Sequence, residues 1–128
     1  MIKMRALLFI ISMITSSIIA REEFIEFNGT VDHLESVLKK HTYVFIDFWA
    51  SWCNPCKRLK QELEKVVRKK PDLRIVLINV DQQRSLAKHY QITSLPTLLL
   101  FKNGVFVKRI VGHHVSEKLL SMIEESAA

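Results

Sequence analysis

The chain has 128 residues, enough for one domain with one hydrophobic core. Its content of 48% hydrophobic and 25% charged residues is that of a soluble globular protein, which excludes a disordered or low-complexity chain. The formal charge of +6 falls to about +4 without Lys3 and Arg5, a bias too mild to indicate a function by itself.

Residues 1–20 have the pattern of a secretory signal peptide. A basic start precedes a continuous apolar segment over residues 6–14, and small residues lead to Ala20. The apolar segment is shorter than the roughly 20 residues that span a membrane. We therefore expect cleavage after Ala20, a mature domain over residues 21–128, and a periplasmic or secreted protein. Because Ile18 is less typical than alanine before such a cut, an uncleaved membrane anchor is one alternative; a buried helix of the domain is another.

The first elements of the mature chain alternate between strand and helix. Residues 24–27 alternate in polarity and predict a short strand, and Thr30 is placed to cap a helix that runs to Lys40. The nearly uninterrupted apolar run over residues 43–48 is typical of a strand covered on both faces.

The middle of the chain continues this alternation. A second helix begins at the cysteine pair and runs to Lys70, where Pro71 stops it. Residues 73–80 predict a third strand. Asp81 is then expected to cap a short helix that ends near Tyr90.

The last elements are a hairpin and a helix. Two apolar strands over residues 96–101 and 105–111 flank Asn103-Gly104, the strongest short-range signal for a hairpin. Ser116 is expected to cap the final helix. The complete order predicts one α/β domain, with a mixed central sheet flanked by helices on both faces.

Both cysteines of the chain belong to one Cys-x-x-Cys motif, Cys53 and Cys56, at the junction of a predicted strand and helix. A bridge over so short a loop is a poor structural staple, because it removes little entropy from the unfolded chain. At such a junction the pair can instead cycle between dithiol and disulfide. An inert disulfide or a zinc site is the alternative, but zinc needs two further ligands and the five histidines show no accompanying spacing. We expect no metal and no cofactor.

The position of each cysteine suggests its chemistry. Cys53 precedes the second helix, so its sulfur faces unpaired backbone N–H groups and the positive end of the helix dipole, which favour thiolate over thiol. Cys56 lies one turn further on and is placed to resolve a mixed disulfide. Asp47 lies within an apolar strand, where burial is expected to raise its pKa.

Several short motifs fall in order along the mature chain. They are Asp47-Phe48-Trp49-Ala50, Trp52-Cys53-x-Pro55-Cys56-Lys57, Asn79-Val80-Asp81, Tyr90-x-Ile92, the stretch from Leu95 to Gly104, and Val111-Gly112. With this set the chain resembles the thioredoxin family over essentially all of residues 21–128. The resemblance implies the thioredoxin fold and thiol–disulfide exchange through Cys53 and Cys56.

The resemblance also implies roles for particular residues. Asp47 matches an aspartate that relays a proton to or from the resolving cysteine; a satisfied core aspartate is the alternative. Pro96 matches a cis-proline that faces the cysteine pair. The implied substrate surface consists of Trp52, Asn54, Pro55, Leu95, Pro96, Val111 and Gly112. We expect Trp49 to pack beneath the motif and His113 to be a solvated loop residue.

Two positions depart from the family pattern. Asn54 replaces the usual glycine, which leaves the redox potential open. Leu77 stands where a lysine near the aspartate is common. Without that lysine, we expect Asp47 to be more strongly desolvated and to have a higher pKa than in the usual arrangement.

These features predict a thiol–disulfide oxidoreductase of an exported compartment that mainly reduces protein disulfides. Leu95 and Asp47 resemble thioredoxin rather than the disulfide-forming oxidases. The chain also has no room for the inserted helical region of an oxidase or the dimerisation domain of an isomerase. A disulfide-donating oxidase or isomerase, and a non-catalytic binding module, are the alternatives.

The expected partners are protein disulfides and a reducing or oxidising redox protein, with a membrane-bound one among the candidates. We expect a monomer that touches a membrane only through an uncleaved leader. We expect no nucleic acid, because no aromatic stripe accompanies the basic residues of the second helix. Those residues are Arg58, Lys60, Lys65, Arg68, Lys69 and Lys70.

Overall fold

A computed structural model of the protein describes residues 22–127, which form five strands and four helices. The strands are β1 (Phe24–Glu26), β2 (Tyr43–Trp49), β3 (Leu73–Asn79), β4 (Thr97–Lys102) and β5 (Val105–Val111). The helices are α1 (Val31–Lys39), α2 (Asn54–Lys69), α3 (Arg84–His89) and α4 (Ser116–Ala127). This order confirms the predicted alternation, whereas the predicted leader of residues 1–20 lies outside the described part of the chain.

The five strands form one mixed sheet in the order β1-β3-β2-β4-β5. Strand β3 pairs in parallel with β1 and β2, and β4 pairs antiparallel with β2 and β5. Strand β2 lies at the centre, because residues 43–48 are all buried and need cover on both faces. Its carboxyl end leads directly into the segment that carries the cysteines.

Helices cover both faces of the sheet, as predicted. One apolar core lies between the sheet and helices α2 and α4, and it includes Phe45, Leu59 and Leu119. The other lies between the sheet and helices α1 and α3, and it includes Leu34 and Phe48. No helix within residues 22–127 combines the length and the apolar character needed to cross a membrane.

Two local signals in the sequence are confirmed. The Thr30 Oγ1 accepts a hydrogen bond of 3.2 Å from the backbone N–H of His33, which caps α1. Asn103 (φ +50°) and Gly104 (φ +79°) adopt the left-handed backbone that a two-residue hairpin turn needs. Glycine suits the second position for a further reason, since a Cβ there would lie 2.9 Å from Lys39 Cγ.

The predicted cap of α3 is wrong. The helix begins at Arg84, and Gln83 occupies the cap position without a capping side-chain hydrogen bond. The backbone N–H of Asp81 instead donates to Asn79 Oδ1 at 2.9 Å. The Asp81 carboxylate accepts a hydrogen bond from the indole of Trp52, a residue 29 positions away in the sequence. That distant partner accounts for the error, because a capping pattern considers only near neighbours.

The predicted role of Ser116 is also wrong. Ser116 is the first residue of α4, and the carbonyl of Val115 accepts the first helical hydrogen bonds. The backbone N–H of Ser116 donates to Glu62 Oε2 on α2 at 2.9 Å. A carboxylate from a neighbouring helix therefore satisfies a free donor at this helix start, where it also complements the helix dipole.

Candidate active site

Cys53 and Cys56 form a disulfide at the start of α2. Cys53 is the N-cap residue of the helix, and its Sγ accepts a hydrogen bond of 3.2 Å from the backbone N–H of Cys56. Pro55 lies in the first turn of α2, where the absence of an N–H is tolerated. In the reduced pair, the same helix-terminal N–H favours a thiolate on Cys53.

The two sulfurs face different surroundings. A cavity of about 180 Å³ lies behind the pair, and Cys56 lines it whereas Cys53 does not. Trp52, beside Cys53, is 68% exposed. Both cysteines are nearly buried, at 5% and 4% exposed, but the exposed Trp52 and Asn54 flank Cys53, so Cys53 is the one nearer the outer surface and Cys56 faces the cavity. Within residues 22–127, no group of three or more His, Cys, Asp or Glu side chains could hold a metal ion.

The indole of Trp52 is held in place by Asp81. Its Nε1–H donates to Asp81 Oδ2 at 2.9 Å. Trp52 also lines a cleft of about 230 Å³ together with Leu95. The structure thus brings two of the predicted substrate-binding residues to one cleft, and it identifies Asp81 as a positioning residue that the sequence interpretation missed.

Pro96 directly precedes β4, and the Leu95–Pro96 peptide bond is cis, as the resemblance implies. Leu95 packs against the buried cluster of Ala50, Cys53 and Cys56. The Pro96 carbonyl accepts a hydrogen bond of 2.9 Å from the N–H of Gly112. This contact joins the two loops that carry the predicted substrate surface.

The predicted substrate residues differ in exposure. Val111 is exposed beside the half-buried Gly112, and Asn54 is exposed beside the half-buried Pro55. Pro96 itself is buried, so its contribution to a surface comes through its backbone. Their common feature is position: all of them lie in the loops and element ends around Cys53.

Asp47 is a buried carboxyl group in the centre of the sheet. The residue is 2% exposed, and within residues 22–127 its Oδ1 has no hydrogen-bond partner. Leucines flank it on both sides, with Leu77 in register on β3 and Leu98 on β4. Burial in this apolar setting raises the pKa of Asp47 to about 7, which confirms the predicted direction.

Asp47 and Cys56 line the same cavity. Trp49, Lys57 and Lys60 also line it, and the buried Nε1 of Trp49 has no hydrogen-bond partner among the described residues. A cavity of this volume with polar groups in its wall can accommodate water. The carboxyl group and the inner sulfur therefore line one space in which water can connect them.

Lys60 is a second residue that the sequence interpretation missed. It extends from α2 into the cavity wall, and its positive charge lowers the pKa of Asp47, an effect smaller than the rise that burial causes. With Leu77 in place of the lysine that is common in the family, β3 provides no cation beside Asp47. Helix α2 provides one instead, in Lys60. The spacing contained a signal, because Lys60 follows Cys56 by four residues and so lies on the same side of the helix.

Comparison with known proteins gives a consistent result. Residues 26–125 match the Thioredoxin family. A thioredoxin of Mycoplasma genitalium is 38% identical over 93 residues, which cover 73% of this chain and 91% of that protein. A thioredoxin of Mycobacterium tuberculosis is 40% identical over 90 residues, which cover 70% of this chain and 78% of that protein.

Solved structures agree. A mutant thioredoxin of Halobacterium salinarum is 32% identical with a TM-score of 0.73, covering 81% of this chain and 90% of its own. Oxidised mitochondrial thioredoxin 3 of Saccharomyces cerevisiae is 31% identical with a TM-score of 0.71, covering 79% of this chain and 94% of its own. With the sheet order and the Cys53–Cys56 disulfide described above, these matches establish the fold and the chemistry. The chain belongs to the thioredoxin family and is a thiol–disulfide oxidoreductase.

Proposed function

We propose that the protein reduces disulfides of other proteins in an exported compartment, with Cys53 as the attacking and Cys56 as the resolving cysteine. The observation that carries this proposal is the shared cavity of Asp47 and Cys56 behind a cysteine pair whose outer member, Cys53, lies at the start of α2. In this arrangement the Cys53 sulfur can attack the client disulfide, and the Asp47 carboxyl group can take the proton of the Cys56 thiol.

In the first step, the Cys53 thiolate attacks one sulfur of the client disulfide. A mixed disulfide forms between Cys53 and the client, and the other client sulfur leaves as a thiolate and is protonated. Trp52, Leu95 and Val111 provide apolar surface for the client segment, and the backbone beside Pro96 is available to pair with it. Proximity of these groups orients the client for in-line attack.

In the second step, Asp47 accepts the proton of the Cys56 thiol, directly or through water in the cavity. The Cys56 thiolate then attacks Cys53 Sγ, the Cys53–Cys56 bond forms as the Cys53–client bond breaks, and the second client sulfur leaves as a thiolate and is protonated. The protein dithiol has lost two electrons and two protons, and the client disulfide has gained them. Because the pKa of Asp47 is about 7, its carboxyl group is partly ionised near neutral pH and can both take and return a proton.

Another dithiol must reduce the Cys53–Cys56 disulfide after each cycle. Thioredoxins act on protein disulfides together with a reductase partner, and here we propose a partner in or at the membrane, serving a monomeric domain. Export is supported by the leader-type sequence of residues 1–20, and an oxidising compartment makes such a partner necessary. Fractionation with N-terminal sequencing tests this: a soluble chain that begins at Arg21 supports a cleaved leader, and a membrane-bound intact chain indicates an anchor.

Reduction of insulin by the mature domain, with a dithiol as donor, tests the activity. We expect turnover by the parent protein, none by Cys53→Ser, and a stable mixed disulfide in Cys56→Ser. Turnover that persists in Cys53→Ser would contradict the proposal.

The redox potential distinguishes reduction from disulfide donation. Equilibration with glutathione should give a value near that of reducing thioredoxins, about −270 mV, rather than that of strong oxidases, about −120 mV. A value near the oxidase limit would favour the alternative of a disulfide-donating oxidase or isomerase. Asn54→Gly shows how far the inter-cysteine residue changes the potential.

A further inference from the structure

We infer that the preferred clients are polypeptides with acidic residues beside their disulfide, and that Arg58 selects them. This inference rests on the proposed function and specifies its substrate class. It is carried by the charges on the surface around Cys53 and by the position of Arg58 on α2.

Three of the segments near Cys53 contain cations and no carboxylate, whereas the segment after β3 brings the Asp81 carboxylate to Trp52. These three segments are residues 50–58, residues 92–96 and residues 111–116, and they include Arg58 and two histidines; Lys57, also in the first segment, lines the cavity behind the pair. Client segments that approach the outer sulfur therefore meet a surface with a positive bias. Clefts lined by one sign of charge raise the association rate of the opposite charge by about tenfold or more at low salt.

Arg58 lies on the side of α2 that adjoins the client surface. It is exposed, and it precedes Glu62 by four residues, so the two side chains lie on the same face of the helix. The Glu62 carboxylate contacts the backbone N–H of Ser116 at 2.9 Å. That face of α2 therefore lies against the loop that joins Gly112 to α4, and Arg58 is one turn nearer the cysteines along it.

The charge of Arg58 is available to a partner. Within residues 22–127 the ion pairs are Lys65–Glu62 and Lys70–Asp72, so no carboxylate neutralises the Arg58 guanidinium. Glu62, the acidic residue on the same face, is already engaged with Lys65 and the Ser116 N–H. Arg58 can therefore bind a client carboxylate in the bidentate geometry that a guanidinium favours.

The nearby acidic residues do not reverse this bias. The Asp81 carboxylate is engaged by the hydrogen bond from Trp52 and belongs to the segment between β3 and α3, not to α2. Glu117 lies in the first turn of α4 and is followed directly by Lys118. The Arg58 side of the surface is thus the side on which an acidic client residue is favoured.

Three model peptides test the inference. Each contains the same intramolecular disulfide, flanked by Glu, Gln or Lys, and each is assayed with the parent protein. We expect kcat/KM to fall in the order Glu, Gln, Lys, by about tenfold from first to last at low salt, with the difference in KM rather than kcat. The difference between the peptides should shrink in about 0.3 M salt, because salt at this concentration screens the attraction between exposed charges.

Two variants assign the preference to one residue. Arg58→Glu should invert the order, and Arg58→Gln should flatten it. Arg68→Glu is the matched control, since it makes the same charge change on the exposed far end of α2 and should leave the order unchanged. Equal rates for the three peptides, or equal effects of Arg58→Glu and Arg68→Glu, would overturn this inference and leave the proposed function standing. Failure to reduce any peptide would overturn both.

Discussion

Trp52 and Asp81, 29 residues apart in the sequence, are joined by a hydrogen bond of 2.9 Å from the indole N–H to the carboxylate. The contact ties the exposed residue before Cys53 to the segment after β3. It holds an exposed aromatic side chain in place on the surface that clients approach. Its loss should therefore affect client binding more than folding.

We predict that Asp81→Ala raises KM for protein disulfides severalfold with little change in kcat or in the free energy of unfolding, because the pair is exposed. Asp81→Asn keeps an acceptor oxygen and should retain most of the activity. Steady-state kinetics and the indole NMR signal of Trp52 provide the measurements. An unchanged indole signal in Asp81→Ala would show that the hydrogen bond does not order the ring.

The buried Asp47 makes stability depend on pH. In the unfolded chain its carboxyl group ionises near 3.8, and in the folded protein near 7. Between these values the unfolded chain releases a proton that the folded protein keeps. Stability is therefore greatest below the unfolded pKa, decreases as the pH rises from about 4 to about 7, and levels off above, with a total loss of about 4 kcal/mol.

Urea unfolding of the oxidised protein at pH 5 and pH 8 measures about 3 kcal/mol of this loss, because the remainder occurs below pH 5. Asp47→Asn cannot ionise, so it should lose much less stability over the same interval and exceed the parent protein at pH 8. Glu124→Gln, which changes an exposed carboxylate on α4, is the matched control and should behave as the parent. Parallel pH profiles for the parent protein and Asp47→Asn would contradict the assignment.

Two cation positions around Asp47 give opposite predictions. Lys60→Met removes the positive charge that lowers the pKa of Asp47, so that pKa should rise. Leu77→Lys places a positive charge opposite Asp47 on β3, so the pKa should fall. NMR titration of the Asp47 carboxyl group measures both, with Lys69→Met as the control on the exposed end of α2. The idea that α2 supplies the active cation fails if Lys60→Met and Lys69→Met titrate alike.

Glu62 should stabilise the start of α4 through the N–H of Ser116. The hydrogen bonds from Lys65 and from that N–H hold the pKa of Glu62 below its ordinary value. Its contribution should therefore be present at neutral pH and be lost as the pH falls through that lowered pKa. Glu62→Ala should lower the melting temperature, Glu62→Gln should lower it less, and Glu64→Ala, an exposed neighbour on α2, should leave it unchanged. Equal melting temperatures for all three variants would rule out this cap.

The sequence predicts the parts of the site that depend on neighbouring residues. The Cys53–Cys56 spacing, the start of α2 at the motif and the burial of Asp47 in an apolar strand all follow from patterns within about ten residues. The cap at Thr30 and the turn at Asn103-Gly104 are of the same kind, since their hydrogen bonds and backbone angles are local.

The features that the sequence predicted wrongly or missed depend on contacts between residues far apart in the sequence. Asp81 and Ser116 occupy positions in the sequence that are typical of helix caps. Their actual partners are Trp52 and Glu62, the second of which is 54 residues from Ser116. The family pattern concerns a lysine on β3 alone, so it gives no indication that Lys60 on α2 faces the same carboxyl group.

For this protein, periodicity, turn residues and motif spacing are sufficient to predict the strands, the helices and the redox pair, because each depends on contacts within one element or turn. Three contacts can be identified only in the packed fold: the cation beside Asp47, the carboxylate that binds Trp52, and the carboxylate that caps α4. These contacts join residues well separated in the sequence, and their distances depend on how α2, the loops and the sheet fit together.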